Sequence, residues 1–116
     1  MIVIRKEQMD VFSQESLDRF EEEVIDFLQD QFPDAKEESR EELNPAVHEQ
    51  VKKAKSYGLE TERQVVTYVT TAWLMGREFD SDFPDAQEIL GSPEYSSDDK
   101  SEKLVQWTEK MFGGIE

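Results

Sequence analysis

Apolar residues at helical spacing, in segments bounded by capping residues and by glycine or proline, constrain the fold of this chain most. The first such segment separates into an apolar and an acidic face. Its apolar residues are Leu17, Phe20, Val24, Phe27, Leu28 and Phe32, and its acidic residues are Asp18, Glu21, Glu22 and Asp26. Because residues three or four apart share one helix face, the pattern predicts an amphipathic helix that begins after the N-cap Ser13 and ends at Pro33.

The segment from Thr61 to Gly76 predicts a central helix, because its apolar residues surround the helix axis. They are Val65, Val66, Tyr68, Val69, Ala72, Trp73, Leu74 and Met75. Thr61 and Gln64 have capping-box spacing, and Gly76 is a typical helix stop. The β-branched run 65–71 also suits a strand, but the length, the caps and the lack of strand partners favour a helix. We expect Trp73 to lie in the core.

Three further helices are predicted, together with the segments that connect them. Asn44 and Pro45 are typical of an N-cap and a first-turn proline. The predicted helices span 45–57, 84–90 and about 98–113, and the predicted loops span 79–83 and 91–97. Two segments keep alternatives: residues 34–43 are an exposed helix or a linker, and residues 1–12 are an apolar arm or a short helix.

These elements predict the fold class. We expect an all-α protein, a compact bundle of about four to six helices that forms a single domain over residues 1–116. Residues 92–116 are its acidic linker and C-terminal helix.

A strongly negative charge excludes two classes of partner. Thirteen Lys and Arg residues against 28 Asp and Glu residues give a net charge of −15. Such a chain repels nucleic-acid phosphates and anionic membranes, so we expect it to bind neither. The charge is uneven, with 5 basic and 14 acidic residues in 1–43, 4 and 3 in 44–76, and 4 and 11 in 77–116. The middle third is therefore predicted to be the buried or contact-making part.

The cysteine content and the first residues of the chain bear on the cellular location. The chain has no cysteine, so disulfides and thiolate metal sites are excluded. Only Ile2, Val3 and Ile4 precede Arg5 and Lys6, which is too short an apolar run for a signal peptide or a membrane span. We expect a cytoplasmic protein.

Residues with catalytic potential are few. His48 is the sole histidine and is predicted to be an ordinary surface residue. Asp80 and Asp82 could ligate a hard cation, but they lack EF-hand spacing, and a solvated turn before Pro84 explains them better. No glycine-rich phosphate loop or dinucleotide motif occurs, so no catalytic, metal or cofactor site is predicted. An acidic metal-dependent hydrolase using Asp80 and Asp82 is the weaker alternative.

Aromatic residues near the acidic segments supply the candidate partner-binding site. Trp107 and Phe112 lie near the end of the chain, where an aromatic side chain can serve as an interface anchor. With them we place Phe79, Asp80 and Asp82 as predicted partner-binding residues.

Several segments resemble a known group of proteins. They are IVIRKEQM at 2–9 with the amphipathic helix after it, AKSYG at 54–58, Val66 to Gly76 continuing into REFD at 77–80, and Ala86 to Leu90. In this order they resemble small bacterial proteins encoded beside type VI secretion spike components and their toxin effectors. The resemblance covers most of the chain up to about Leu90, whereas the segment after Ser92 has no counterpart.

The resemblance implies an accessory, non-catalytic role around a secreted toxin. The protein would bind the toxin effector or a spike component as an adaptor or chaperone for loading. Alternatively, it would be an immunity protein that neutralises its cognate toxin. A motif set shared beside varied toxins favours the adaptor, because an immunity protein usually matches one toxin.

The all-α prediction can be checked in solution. Because the apolar stripes have helical spacing and are separated by caps and glycines, we expect a helix-dominated far-ultraviolet circular dichroism spectrum. A strand-dominated spectrum would contradict the fold, and the run 65–71 would be the first place to look for the error.

Overall fold

Helices form all the regular structure in the described part of the chain. A computed structural model describes residues 14–113, with side chains for residues 18–111. The helices are α1 (Gln14–Gln31), α2 (Pro33–Lys36), α3 (Arg40–Ser56), α4 (Glu62–Met75), α5 (Phe79–Asp82), α6 (Pro84–Gly91) and α7 (Ser97–Gly113). No strand occurs in residues 14–113, and the all-α prediction is confirmed. Since α2 and α5 are single turns, five longer helices build the bundle.

Helix α1 lies against α3 through the apolar face that its sequence predicts. Phe20, Val24 and Leu28 are fully buried. Ile25 is also buried, whereas Phe27 is 37% exposed, so the buried face is rotated slightly from the predicted one. Pro33 ends the helix as expected and opens the single turn α2.

Helix α3 begins five residues earlier than the sequence predicts. Ser39, not Asn44, is its N-cap: the Ser39 hydroxyl accepts from the Glu42 backbone N–H, and the Glu42 carboxylate accepts from the Ser39 N–H. Pro45 therefore lies inside the helix, where it removes one hydrogen bond. The capping box and the complete burial of Leu43 stabilise the extra turn. The segment 34–43 is thus helical at both ends.

Helix α4 is the centre of the bundle, as predicted, and packs against α3 and α7. Its capping box between Thr61 and Gln64 is present, and Gly76 ends it. The expectation for Trp73 is corrected, because this side chain is only partly buried at the edge of the core. Tyr68, which is 0% exposed, is the aromatic residue at the centre.

Helix α7 closes the bundle against α4 and α6. Ser96 and Asp99 form a reciprocal cap at its start. Its residues Leu104 and Trp107 are buried, and Trp107 stacks on Phe79, which lies in the turn α5 where the sequence predicts a loop. The C-terminal segment is therefore part of the core up to this point.

Some expectations lie outside the described residues. They are the arm or short helix over 1–12, the N-cap Ser13 and the side chains of Leu17 and Phe112. Within the described part, no helix is long and apolar enough to cross a membrane.

Adjacent positions on α7 provide a test of this docking. Leu104 is 0% exposed and Val105 is 42% exposed. Leu104→Ala should therefore lower the free energy of unfolding by about 2–5 kcal/mol, whereas Val105→Ala should change it by less than about 0.5 kcal/mol. Urea unfolding followed by circular dichroism measures both values. Equal small effects would mean that α7 does not pack on the core.

Candidate partner-binding pocket

Two of the predicted partner-binding residues lie in the core. Phe79 is 0% exposed and Trp107 is 7% exposed. Their rings stack with centroids 6.1 Å apart, and Phe83 meets Trp107 edge-on at 5.3 Å. This aromatic group packs α5 and α7 against each other, and the edge of Trp107 also lines a shallow surface pocket with Ile89 and Tyr95.

Asp80 is also buried, at 4% exposure, and both of its carboxylate oxygens have partners within the chain. Lys53 Nζ donates to Oδ1 at 3.3 Å, and the Tyr57 hydroxyl donates to Oδ2 at 2.7 Å. Asp82, two residues further on, is exposed. Among the described residues, no group of three or more acidic or histidine side chains is placed to hold a metal ion. These contacts of Asp80 hold α5 against α3.

Two tyrosines lie beside the Asp80 carboxylate and differ in their hydrogen bonding to it. Burial first, and then the hydrogen bond and charge of Asp80, raises the pKa of Tyr57 to about 12. Burial and the charge of Asp80 also raise the pKa of Tyr68. The buried Tyr68 hydroxyl lies near Asp80 but has no hydrogen bond of good geometry with any described residue. Both phenols stay neutral near pH 7, and the Tyr57 hydroxyl is the one that donates to Asp80.

His48 lies on the surface of α3, as predicted. Its side chain is half exposed, and its Nδ1 lies 2.9 Å from Oε2 of Glu21 on α1. This pair joins two helices at the surface, and nothing around it resembles a nucleophile and base arrangement.

The structure instead reveals a pocket where α1, α3 and α4 meet. We call it the Gln50 pocket, and its volume is about 220 Å³. It is lined by Leu28, Glu38, Glu42, Leu43, Ala46, Val47, Gln50, Val69, Ala72, Trp73 and Arg77. Ala46 and Ala72 present only methyl groups on the facing helices α3 and α4, which leaves space that larger side chains would fill.

Gln50 is the buried polar group of this pocket. It is 3% exposed, and its Nε2 donates to the backbone carbonyl of Arg77 at 3.4 Å. Its Oε1 is buried and has no hydrogen-bond partner among the described residues. A buried acceptor without a partner in the chain is unfavourable, so this group requires an explanation.

Charged and aromatic residues frame the pocket. Glu38 is exposed in the connection from α2 to α3, and the Glu42 carboxylate is held in the capping box of α3. Trp73 forms a wall, and its indole N–H points to Asp34 Oδ1 at 3.4 Å. Arg77 follows α4 on the exposed surface. The pocket therefore combines apolar walls, a buried acceptor and carboxylates at the rim.

Among the described residues, none of the predicted partner-binding residues Phe79, Asp80, Asp82 and Trp107 lines the Gln50 pocket. A signal for it is present in the sequence: Gln50 interrupts the apolar stripe of Val47, Val51 and Ala54 on α3. A polar residue on a buried helix face requires a hydrogen-bond partner, so a polar residue there without one calls for an explanation. Helical spacing alone gives no distance between helices, so the space beside Ala46 and Ala72 could not be predicted.

Comparison with known protein families, with curated proteins and with solved structures finds no match for this chain.

The two tyrosines beside Asp80 form a matched pair for mutation. Tyr57→Phe removes a hydrogen bond to a buried carboxylate and should lower the free energy of unfolding by about 1–3 kcal/mol. Tyr68→Phe removes a buried hydroxyl that has no partner, so it should be neutral or stabilising. Urea unfolding at neutral pH measures both. A cost for Tyr68→Phe as large as that for Tyr57→Phe would show that the Tyr68 hydroxyl is bonded in solution.

The contribution of the Tyr57 hydroxyl should fade at alkaline pH. Its pKa of about 12 in the folded state lies above the ordinary 10.0, so the unfolded phenol ionises first and unfolding is favoured. The stability difference between wild type and Tyr57→Phe should be constant below pH 10 and should shrink as the pH rises toward 12. Urea unfolding at about pH 8 and about pH 11 measures it. An unchanged difference would contradict the raised pKa.

Proposed function

We propose that this protein is a non-catalytic binding domain that docks a partner protein on the Gln50 pocket. The observation that carries this proposal is the Gln50 pocket itself, a space of about 220 Å³ between α1, α3 and α4 with largely apolar walls and with carboxylates at its rim. Interfaces concentrate their binding energy in a few side chains that enter such pockets. A partner side chain there would gain apolar burial.

The size of the pocket favours a protein partner over a metabolite or cofactor. Sites for small molecules usually measure about 300–1,000 Å³. At about 220 Å³, the Gln50 pocket is closer to the volume of one large side chain. A partner chain that inserts one anchor residue fits this size.

The surface charge favours a basic partner. All the described Asp and Glu side chains are exposed except Glu21, Glu62 and Asp80. A surface of this kind attracts a positively charged protein and accelerates the encounter. The pocket then determines how long the complex lasts, because apolar anchors mainly affect dissociation.

The sequence resemblance supplies the proposed identity of the partner. The segments at 2–9, 54–58, 66–80 and 86–90 resemble those of proteins encoded beside type VI secretion components. On this resemblance, the proposed partner is a toxin effector or a spike component of type VI secretion. The proposed role is that of an adaptor or chaperone that holds the effector for loading. An immunity protein for a cognate toxin is the second candidate, and it rests on the same resemblance.

We expect a stoichiometric complex without turnover. Raising the salt from about 0.01 M to about 0.5 M should slow association strongly, because the Debye length falls from about 30 Å to a few ångströms. Dissociation should change less, because it depends on the apolar anchor. Biolayer interferometry with the neighbouring toxin and with the spike protein measures both rates. No binding to either at tens of micromolar would refute the proposed function.

The two roles differ in what happens to the toxin. An adaptor should raise the solubility or the secretion of the effector and leave its toxicity in a recipient cell intact. An immunity protein should abolish toxicity when it is co-expressed in that recipient. Growth of recipients that carry the toxin with or without this protein decides between them.

A further inference from the structure

We propose that the exposed face of α4 is a second docking surface, which binds an amphipathic helix of a partner protein that carries a carboxylate near each end. We call this surface the α4 face. It consists of Phe27 on α1, Val66, Thr67, Thr70 and Leu74 on α4, and Val105 on α7. None of these residues lines the Gln50 pocket, so the inference goes beyond the proposed function and does not rest on it.

Most of the large apolar side chains that are exposed in the described part of the chain lie on the α4 face. Phe27 is 37% exposed, Leu74 is 39% exposed and Val105 is 42% exposed. The fourth such residue, Met111, lies near the end of α7. Single exposed apolar residues are ordinary on a protein surface, whereas a contiguous group is typical of an interaction site.

Two contacts show that Phe27 lies beside α4. Burial, and then the charge of Glu23 on α1, raises the pKa of Glu62 in the first turn of α4. Near the end of α4, the indole N–H of Trp73 donates to Oδ1 of Asp34 at 3.4 Å. Eleven residues separate the two contacts on each segment, so α1 and α4 run in the same direction. Phe27 follows Glu23 by about one turn and therefore lies level with the second turn of α4.

Val105 joins the face from the opposite side of α4. Nε2 of Gln64 in the first turn of α4 donates to Oδ1 of Asp98 in the first turn of α7 at 2.6 Å. Trp107, near the other end of α7, stacks on Phe79, which follows α4. The two helices therefore also run in the same direction. Since Val105 is two turns after Asp98, it lies on the same flank of α7, beside the later turns of α4.

The middle of the α4 face carries no charge. Residues 63–77 contain no Asp or Glu, although the chain has 28 of them in 116 residues. The Thr67 hydroxyl donates to the backbone carbonyl of Arg63 at 2.9 Å, so this polar group has a partner within its own helix. Removing water from the face therefore costs little, and burying its apolar side chains is favourable.

An arginine lies at each end of the face. Arg63 is in the first turn of α4 and Arg77 follows the helix, and both are exposed. Neither guanidinium forms an ion pair with a residue that the structure describes. The two positions are roughly 20 Å apart at 1.5 Å per residue. In a chain with so many carboxylates, two arginines left unpaired beside an apolar surface favour a partner that supplies carboxylates at this spacing.

An α-helix is the partner element that suits this face. The backbone groups of α4 are bonded within the helix, so the face offers no sheet edge to an extended chain. An extended segment would bury its own N–H and C=O groups without partners, which is unfavourable, whereas a helix bonds its own backbone. A helix of about 15 residues spans the roughly 20 Å between the arginines.

A second copy of this chain suits the face poorly. If two α4 helices pair in opposite directions, Arg63 of one copy meets Arg77 of the other, and if they pair in the same direction each arginine meets its equivalent. Two chains of net charge −15 also repel each other. The occupant is therefore a different protein.

Two synthetic peptides test the proposal by NMR on the full, isotopically labelled chain. Both are stapled helices of about 18 residues with one leucine stripe. One carries two glutamates spaced as Arg63 and Arg77 are, and the other carries lysines there. We expect the glutamate peptide to bind about tenfold more tightly at low salt, because it gains two exposed ion pairs and avoids two like-charge contacts. The amide signals of residues 66–74 should shift.

One pair of variants tests the apolar contact. Leu74→Gln should weaken the binding of both peptides by about tenfold or more, because it removes an exposed leucine from the middle of the face. Met111→Gln makes a similar change outside the face and should leave binding unchanged. Both positions are exposed, so both variants should keep the circular dichroism spectrum and the urea midpoint of the wild type.

A second pair tests the charges. Arg63→Glu combined with Arg77→Glu should reverse the preference, so that the lysine peptide binds more tightly. Lys52→Glu combined with Lys110→Glu is an equal change of charge at exposed positions away from the face, and the glutamate peptide should still be preferred. Raising the salt to about 0.5 M should reduce the preference, because exposed charges are then screened.

Equal binding of the two peptides, or no binding of either at about 1 mM, would overturn the proposal. So would face signals that move on dilution without peptide, because a second copy would then be the occupant. Face signals that move in Ile4→Glu without peptide would also overturn it, since the chain's own N-terminal segment would then cover the face. Ala46→Leu, which fills the Gln50 pocket, should leave peptide binding unchanged, so failure of the proposed function is distinguishable from failure of this inference.

Discussion

Burial of α4 on several sides is the constraint on which the rest of the structure depends. A helix that is apolar nearly all round is stable in water only when other elements cover it. Helices α3 and α7 pack against α4, α1 also contacts it, and Val65, Tyr68 and Val69 are buried. The space at the Gln50 pocket arises within this packing, where Ala72 of α4 faces the small residue Ala46 of α3.

One face of α3 holds both the pocket and the chain that follows α4. Gly76, with a φ of 114°, turns the backbone in a conformation that other residues rarely adopt. The backbone carbonyl of Arg77 then accepts hydrogen bonds from Gln50 Nε2 and from Lys53 Nζ. Lys53 Nζ also donates to the carboxylate of the buried Asp80. The position of the pocket acceptor is therefore fixed by the same contacts that hold α5. A change in the α4–α5 connection would therefore move Gln50 and alter the shape of the pocket.

The sequence predicts the helices well because each depends on local spacing, and it predicts the site poorly because the site depends on contacts between helices. The Thr61–Gln64 cap and the Gly76 stop are correct, since they involve neighbouring residues. The predicted start of α3 is wrong because the segment carries two cap signals, Asn44–Pro45 and Ser39–Glu42, and the burial of Leu43 on the bundle favours the earlier one. Trp73 is predicted in the core but lies at the edge of the core. Asp80 is predicted in a solvated turn but is buried, because Lys53 and Tyr57 reach it from α3.

In the proposed function, the surface charge and the Gln50 pocket contribute differently to recognition. Exposed carboxylates attract many basic proteins at similar rates, so they select poorly between partners. Selectivity then has to come from a site of defined shape, because only such a site penalises a partner side chain that does not fit. The Gln50 pocket has that property, since its walls belong to three helices whose packing is fixed by the core.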